Sequence, residues 1–305
     1  MSDKTRSLRL PERELMAPGH LACQGCGAAL AMRLVLKALG PRTALVIPAC
    51  CWAVMPGPMP RTCLDVPTLF CAFECTAATA AGLKAGLRRA GQGDVTVVGF
   101  AGDGGTADIG LQALSGAAER GDDILYVCYD NEAYMNTGIQ RSGSTPPGAR
   151  TTTTPGTLRK EQPKKDMFAI MAAHGIPYAA TANPSYPLDL LEKVRKAARP
   201  GGLRYLHILA DCPTGWRHEP SAMVEVGKLA TTSRVFPLLE VEAGVWRITK
   251  RVTRPTPVAE YLRAQGRFSD LDEDAHQAMQ EAVDARWSWL EARVRESAPA
   301  TSGQA

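Results

Sequence analysis

No stretch of this sequence approaches the ~18 consecutive apolar residues of a membrane-spanning helix. The opening MSDKTRSLRLPERE has none of the apolar core of a secretory leader. The expectation is a cytoplasmic protein with no membrane contact. A concentrated charge of one sign is also missing: 35 Lys and Arg stand against 31 Asp and Glu, and the net charge of +4 is scattered. A nucleic-acid partner needs a basic face, and none is visible. Histidine is sparse. His20, His174, His207, His218 and His276 never fall at HxxxH spacing, so a histidine metal centre is not expected. There is no GxSxG and no Walker A sequence, which removes the serine-hydrolase elbow and the P-loop. No internal repeat is found.

What remains is ordinary globular material, 45% hydrophobic over 305 residues, enough for one large core or a core with an appended lobe. The nine cysteines stand out. In a reducing compartment they point to metal, redox chemistry or apolar packing rather than disulfides.

Short apolar runs at Ala44–Pro48, Val95–Phe100, Ile124–Tyr129 and Tyr205–Leu209 predict buried parallel strands. Helical patterns at Ala28–Leu39, Ala77–Ala90, Ile109–Arg120 and Leu188–Ala198 alternate with them. This alternation predicts an α/β fold with a doubly wound, mostly parallel sheet. Residues 1–254 are assigned to that domain and 255–305 to a C-terminal helical extension, with one amphipathic helical stretch over Val258–Val294 and a frayed tail from Ser297. Asn136 to Lys165 is polar and without periodicity, and loops of that length are functional or disordered. Its low apolar content predicts ordering against another subunit, and its basic run Arg159–Lys165 predicts a solvated loop.

The strand at Val95–Phe100 runs into Ala101-Gly102-Asp103-Gly104-Gly105-Thr106 and then a helix. Small residues let a phosphate approach backbone N–H groups at a helix start, and Asp103 offers the hard oxygen that Mg²⁺ prefers. A lone GDG reads as a common turn about as often. Asn131, 28 residues after Asp103, ends the next strand, so both fall at the carboxyl edge, where open α/β sheets bind ligands.

Cys23-Gln24-Gly25-Cys26 is a CxxC with three readings: zinc, an iron–sulfur cluster or a redox dithiol. Zinc sites usually repeat the pair, and no second CxxC exists. Cys51 and Cys212 each follow an apolar strand, so four thiolates can converge at the Asp103–Asn131 edge. Cys71 and Cys75, spaced i and i+4, predict packing on a helix face. Cys128 reads as core, and Cys63 stays open.

The string GDGGTADIGLQALSGAAERGDDILYVCYDNEAYMNTGIQRSGSTPPGARTTTTP, with HLACQGCG, CPTGW and PVAEYLRAQGRF, resembles the β subunit of 2-oxoacid:ferredoxin oxidoreductases such as pyruvate:ferredoxin oxidoreductase, from His20 to about Leu290. The resemblance implies thiamine diphosphate, Mg²⁺ on Asp103, Asn131 and the Ala133 carbonyl, and a [4Fe–4S] cluster on Cys23, Cys26, Cys51 and Cys212. Gly102, Gly104, Gly105 and Asn131–Asn136 would hold the diphosphate, Ala28 and Cys51 would touch the cofactor, and Asn136 would reach its reactive end. It further implies oxidation of a 2-oxoacid, pyruvate first, with CoA and ferredoxin. The partners would be a pyrimidine-domain α subunit, a γ subunit and a ferredoxin-like δ subunit. Branched-chain, aryl (phenylglyoxylate) or oxalate substrates are the alternatives within the family. A cluster-free thiamine decarboxylase or synthase fragment, or a non-catalytic subunit with structural zinc, are the alternatives outside it. The chain departs from the family pattern at Cys50, where relatives have Gly, at Trp52-Ala53-Val54, and at Phe73-Glu74-Cys75 where relatives read FEN.

Overall fold

The computed structural model describes residues 11–155, 157–199 and 201–298. The chain order is α1 (Gly27–Leu39), β1 (Thr43–Ile47), β2 (Thr68–Phe70), α2 (Thr76–Arg89), β3 (Thr96–Gly102), α3 (Leu111–Glu119), β4 (Leu125–Asp130), α4 (Met167–Ala173), β5 (Tyr178–Ala182), α5 (Pro187–Ala197), β6 (Arg204–Leu209), α6 (Pro213–Trp216), α7 (Met223–Thr232), β7 (Leu239–Glu242), β8 (Val245–Ile248), α8 (Val258–Arg263) and α9 (Glu273–Ser297).

One eight-stranded sheet runs β2-β1-β3-β4-β6-β5-β7-β8. Its first six members are parallel, and β7–β8 is an antiparallel hairpin closing one edge. The doubly wound, mostly parallel α/β architecture read from the sequence is the one observed. β1, β4, β5 and β6 are buried along their whole length, as strands covered by helices on both faces must be. On one face α1 packs beside α5 over Leu45, Val98, Val127 and Leu206; on the other α2, α3 and α4 cover Val46, Val97, Tyr126 and Tyr205. A third cluster joins Leu209 and Trp216 to Val258, Tyr261, Leu262 and Phe268, so α8 is anchored to the end of β6.

Five expectations change. The stretch Val258–Val294 is two helices, broken by a turn at Gly266–Phe268, where Gly266 backs onto the Arg217 carbonyl oxygen at 2.9 Å from an ideal Cβ position. Helix α9 runs through Ser297, and the remainder of the expected frayed tail, from 299, lies outside the described residues, as do residues 1–10. Cys71 and Cys75 share no helix face, because α2 starts only at Thr76; Cys71 follows β2 and Cys75 precedes the helix.

The segment 136–165 is folded within the chain rather than waiting for a partner. Ser142, Ser144, Thr145 and Ala149 are buried, held by polar bonds instead of apolar area. The run Arg159–Lys165 is likewise not simply solvated. Lys160 is buried and donates to the carbonyls of Thr145 (2.5 Å) and Pro163 (3.2 Å), and Lys164 pairs with buried carboxylates. Carbonyls and carboxylates satisfy ammonium groups as well as water does, which is how a polar loop packs without periodicity.

Candidate functional site

Strands β1, β3, β4 and β6 are consecutive in the sheet and point the same way. Asp103 follows β3 directly and Asn131 follows β4 directly, while Cys51 and Cys212 lie a few residues beyond β1 and β6. All four therefore stand at one carboxyl edge.

Asp103 is 1% exposed at the wall of a cavity of about 210 Å³ that Gly102, Gly104, Gly105, Asn131, Ala133 and Asn136 also line. The Asn131 side-chain oxygen lies 2.9 Å from the Ala133 carbonyl oxygen and 2.9 Å from Asp103 Oδ1. Three acceptors thus converge with no donor between them. Turning the amide over would give two hydrogen bonds. With oxygen inward, 2.9 Å is the edge of an octahedron whose metal–oxygen bonds are about 2.05 Å, the Mg²⁺ length. The donor set is all oxygen, and its chemistry fits that ion. Burial first, then the nearby Asp130 carboxylate, push the Asp103 pKa well above the usual range. A divalent cation would reverse that cost.

Past Gly102 the backbone turns helical at Gly104, and the first turn is π-helical over Gly105–Ile109 before α3 begins. N–H groups at such a start have no acceptor within the helix, and π turns recur at functional sites. Gly104 has to be glycine: a Cβ there would sit 2.3 Å from the Tyr134 ring. That ring's hydroxyl donates to Asp108 Oδ2 at 2.8 Å, and Asp108 also accepts from Gly143 N–H (2.9 Å) and Lys165 (2.9 Å). The glycine loop is therefore tied to the 136–165 segment.

Cys23, Cys26, Cys51 and Cys212 line a second cavity of about 230 Å³. The CxxC loop is pressed against the end of β6. Gly27 N–H donates to the Asp211 carbonyl (2.9 Å), and a Cβ on Gly27 would meet Asp211 N at 2.6 Å. All four thiols are free, and Cys212 Sγ accepts from Gly215 N–H at 3.4 Å. Burial, then neighbouring Cys50, Cys212, Cys26 and Cys23, push the Cys51 thiol up to about 12, and burial raises Cys212 to about 11. Four thiolates cannot coexist here without a cation to stabilise them, which suits a metal-bound sulfur set. No three His, Cys, Asp or Glu among the described residues close around one point as a single ion would need. Cys50 is a different case. It is buried and faces the Asp103 cavity, not the one lined by the other four.

The two cavities share a wall made of Cys51, Asn131, Met135 and Asn136. Ala28 lines the cysteine cavity and not the Asp103 cavity, and its carbonyl accepts from Trp52 Nε1 at 3.3 Å. Asn136 is exposed and borders both.

Several residues with direct roles here carry no local sequence signal. Ser142 Oγ donates to Asp103 Oδ2 at 2.5 Å from 39 positions away. Thr145 Oγ1 donates to the Glu132 carbonyl (2.7 Å), and Glu132, at φ 67°, is held by Arg267 (2.5 Å) and Lys164 (2.7 Å). Against its burial, Lys164 and His207 hold Asp130 well below the usual carboxylate range. Arg267 lies in PVAEYLRAQGRF and Ser142 in the long string from Gly102, both stretches that carry the family resemblance, yet the sequence assigns neither residue a role of its own.

Among known proteins, residues 49–208 match the family described as thiamine pyrophosphate enzyme, C-terminal TPP binding domain. The chain is 52% identical to the pyruvate synthase subunit PorB of Methanothermobacter marburgensis, over 91% of this chain and 98% of that one. It is 48% identical to the ketoisovalerate oxidoreductase subunit VorB of Pyrococcus abyssi, over 94% and 96%. In fold it is similar to a solved 2-oxoglutarate:ferredoxin oxidoreductase from Magnetococcus marinus, with a TM-score of 0.58 and 21% identity, over 74% of this chain and 82% of that one. No helix among the described residues is long and apolar enough to cross a membrane. With that sequence similarity spanning nearly its whole length, the chain belongs to the thiamine-diphosphate-binding β subunits of the 2-oxoacid:ferredoxin oxidoreductase family.

Proposed function

We propose that this chain supplies the diphosphate-binding half of an enzyme that oxidatively decarboxylates pyruvate with CoA and passes the electrons to ferredoxin. The observation that supports the reading is the wall shared by the two cavities, which sets the cavity at Asp103 and Asn131 directly against the one lined by four cysteines. Asp103, the Asn131 side chain and the Ala133 carbonyl would hold Mg²⁺, and Gly102, Gly104, Gly105 and the 131–136 turn would cradle the diphosphate. Cys23, Cys26, Cys51 and Cys212 would hold a [4Fe–4S] cluster. When bound, thiamine diphosphate supplies a carbanion that adds to the keto carbon, and the cluster accepts single electrons. Asp103 neutralises the ion, the glycines allow close backbone approach, and Asn136 borders both cavities, where it can orient the substrate by its amide. Cys51 lines both cavities, so its loop would offer a short path for an electron between a cofactor held in one and a cluster held in the other.

The relatives are named as subunits, and we take this chain to work with a pyrimidine-domain α subunit and with γ and ferredoxin-like δ subunits. Residues 255–305 are taken as an extension of the 1–254 domain, since Val258, Tyr261 and Leu262 pack on Trp216. In the assembled complex, Asp103→Ala should abolish Mg²⁺-dependent thiamine diphosphate binding in a calorimetric titration; unchanged affinity would overturn the assignment. Iron and zinc analysis of anaerobic protein, with its absorption near ~400 nm, separates a cluster from structural zinc. The VorB relatives favour one second reading, a branched-chain 2-oxoacid. Turnover of pyruvate against 3-methyl-2-oxobutanoate decides between them.

A further inference from the structure

Two sequence motifs, Cys212-Pro213-Thr214-Gly215-Trp216 and Gln265-Gly266-Arg267-Phe268, have no place in the binding scheme beyond Cys212 itself. The structure joins them at one point. Trp216 is fully buried, and its indole Nε1 donates to the main-chain carbonyl of Asn131 at 2.8 Å. The guanidinium of Arg267 lies 4.1 Å over the Trp216 ring and pairs with Glu132, the residue after Asn131, at 2.5 Å. Gly215 backs onto Met135, with an ideal Cβ only 2.3 Å from Sδ, so the Cys212 turn and the 131–136 turn are in close register.

From this geometry we infer that Trp216 is a positioning residue for the metal loop: it fixes the Asn131 carbonyl, and so sets the Asn131 side chain and the Ala133 carbonyl at the spacing of a small octahedral cation. Asn131 is the last residue before a left-handed turn at Glu132, where the backbone would otherwise relax. One indole N–H and one stacked guanidinium clamp that turn from the β6 side. Mg²⁺ tolerates little departure from octahedral geometry, whereas Ca²⁺ accepts wider and more variable oxygen cages. A loosened Asn131 should therefore cost Mg²⁺ more than Ca²⁺. A role in packing alone would show no such selectivity.

The inference rests on the assignment of Asp103, Asn131 and Ala133 as the metal face. The test uses the assembled anaerobic complex, titrated with thiamine diphosphate in saturating Mg²⁺ and separately in Ca²⁺. Trp216→Phe removes the N–H and keeps an aromatic ring for Arg267. Mg²⁺-supported affinity should fall roughly tenfold, the worth of one buried hydrogen bond, while Ca²⁺-supported affinity changes less than about threefold and iron per chain stays constant. Equal losses with both ions, or no loss with either, overturn the inference. Arg267→Lys keeps the charge and the indole but loses the planar stack; it should show the same selectivity at smaller size, and it serves if Trp216→Phe does not assemble, when unaltered Mg²⁺-supported affinity refutes the clamp. Asp103→Asn in parallel separates the two ideas. If it leaves affinity unchanged, the metal assignment itself fails; if it abolishes binding while Trp216→Phe is silent, only the clamp fails.

Discussion

Ser142→Ala offers a sharp test of how the proposed Mg²⁺ pocket at Asp103 is held. The Ser142 hydroxyl donates to Asp103 Oδ2 at 2.5 Å, and both residues are about 1% exposed, so water does not replace the donor. The same oxygen accepts from Ser144 N–H at 3.2 Å, so the substitution also loosens the turn above Asp103. A buried hydrogen bond to a charged partner contributes about 1.5–3 kcal/mol. At 1.36 kcal/mol per decade this is roughly a 10- to 150-fold loss of Mg²⁺-dependent thiamine diphosphate affinity. The pH dependence carries a definite sign. Burial and Asp130 raise the Asp103 pKa, and Ser142 opposes them. Binding needs the ionised carboxylate, so it fails as pH falls through that pKa. Without Ser142 the pKa rises further, and the acid limb of binding must move to higher pH. Calorimetric titration of the assembled complex across a pH series measures both effects. An affinity within twofold of wild type at every pH, or an acid limb displaced downward, would refute this account of the pocket.

Other outcomes follow from the same geometry. Cys51→Ser should lower iron per chain while Cys50→Ser leaves it intact, because only Cys51 lines the four-cysteine cavity; the reverse result in an iron assay would shift the ligand by one residue. Asp123→Asn should destabilise the fold by about 3–5 kcal/mol in denaturant titration, since it removes the carboxylate 2.5 Å from the buried Arg204 guanidinium and leaves that charge only the carbonyls of Ala197 and Gly202. Against its burial, Arg204 holds the Asp123 pKa down to about 2, below the ordinary carboxylate value. The stability it contributes is therefore present above pH ~4 and lost as pH falls toward 2, and the variant should lack that acid limb. The isolated chain should show little CoA-dependent oxidation of a 2-oxoacid, and adding the pyrimidine-domain subunit should restore decarboxylation; substantial turnover by the single chain would overturn the split-site reading.

How much was legible in the sequence depends on how each element is stabilised. β1, β3, β4 and β6 are continuous apolar runs because helices cover both faces, and their predicted spans fall within two residues of the observed ones. β5 escaped notice because Tyr178-Ala179-Ala180-Thr181-Ala182 is alanine-rich, with little of the β-branched content that marks a strand, although burial between β6 and β7 makes it one. The hairpin β7–β8 is two four-residue strands at an edge, with Glu240, Glu242 and Arg247 among the apolar residues, and gives a weak pattern. The helix expected from Ile109 begins at Leu111 after a π turn over Gly105–Ile109, a close approach that Gly110 permits, since a Cβ there would meet the Gly105 carbonyl oxygen at 2.1 Å. The 136–165 segment was misread because periodicity reports apolar faces, and this segment is held by donors and acceptors such as Lys160, Lys164 and Ser142. Cys71 and Cys75 were misread for a related reason: the spacing i, i+4 places two side chains together only where the backbone is already helical.

The topology explains why one sheet edge can serve two cavities. Neighbouring strands lie about 4.8 Å apart, so β1 and β6, with β3 and β4 between them, are separated by roughly 14 Å. Asp103 and Asn131 end the two inner strands and have almost no loop before them, which fixes them tightly. Cys51 and Cys212 end the two outer strands and sit a few residues further out, where the chain can bend back over the middle. The 3-10 turn at Cys51–Ala53 and the short helix α6 at Pro213–Trp216 make those bends, and α1 enters from the side with Cys23 and Cys26. The inner pair therefore suits an ion whose geometry must be strict, and the outer loops suit a larger group whose sulfur atoms must be spread apart. Moving either pair by one strand would separate the cavities by another strand width and remove the common wall at Cys51 and Asn131. A strand permutation that kept β3 beside β4 but moved β1 or β6 away from them should thus keep the proposed diphosphate site at Asp103 and Asn131 while losing the thiol cavity beside it.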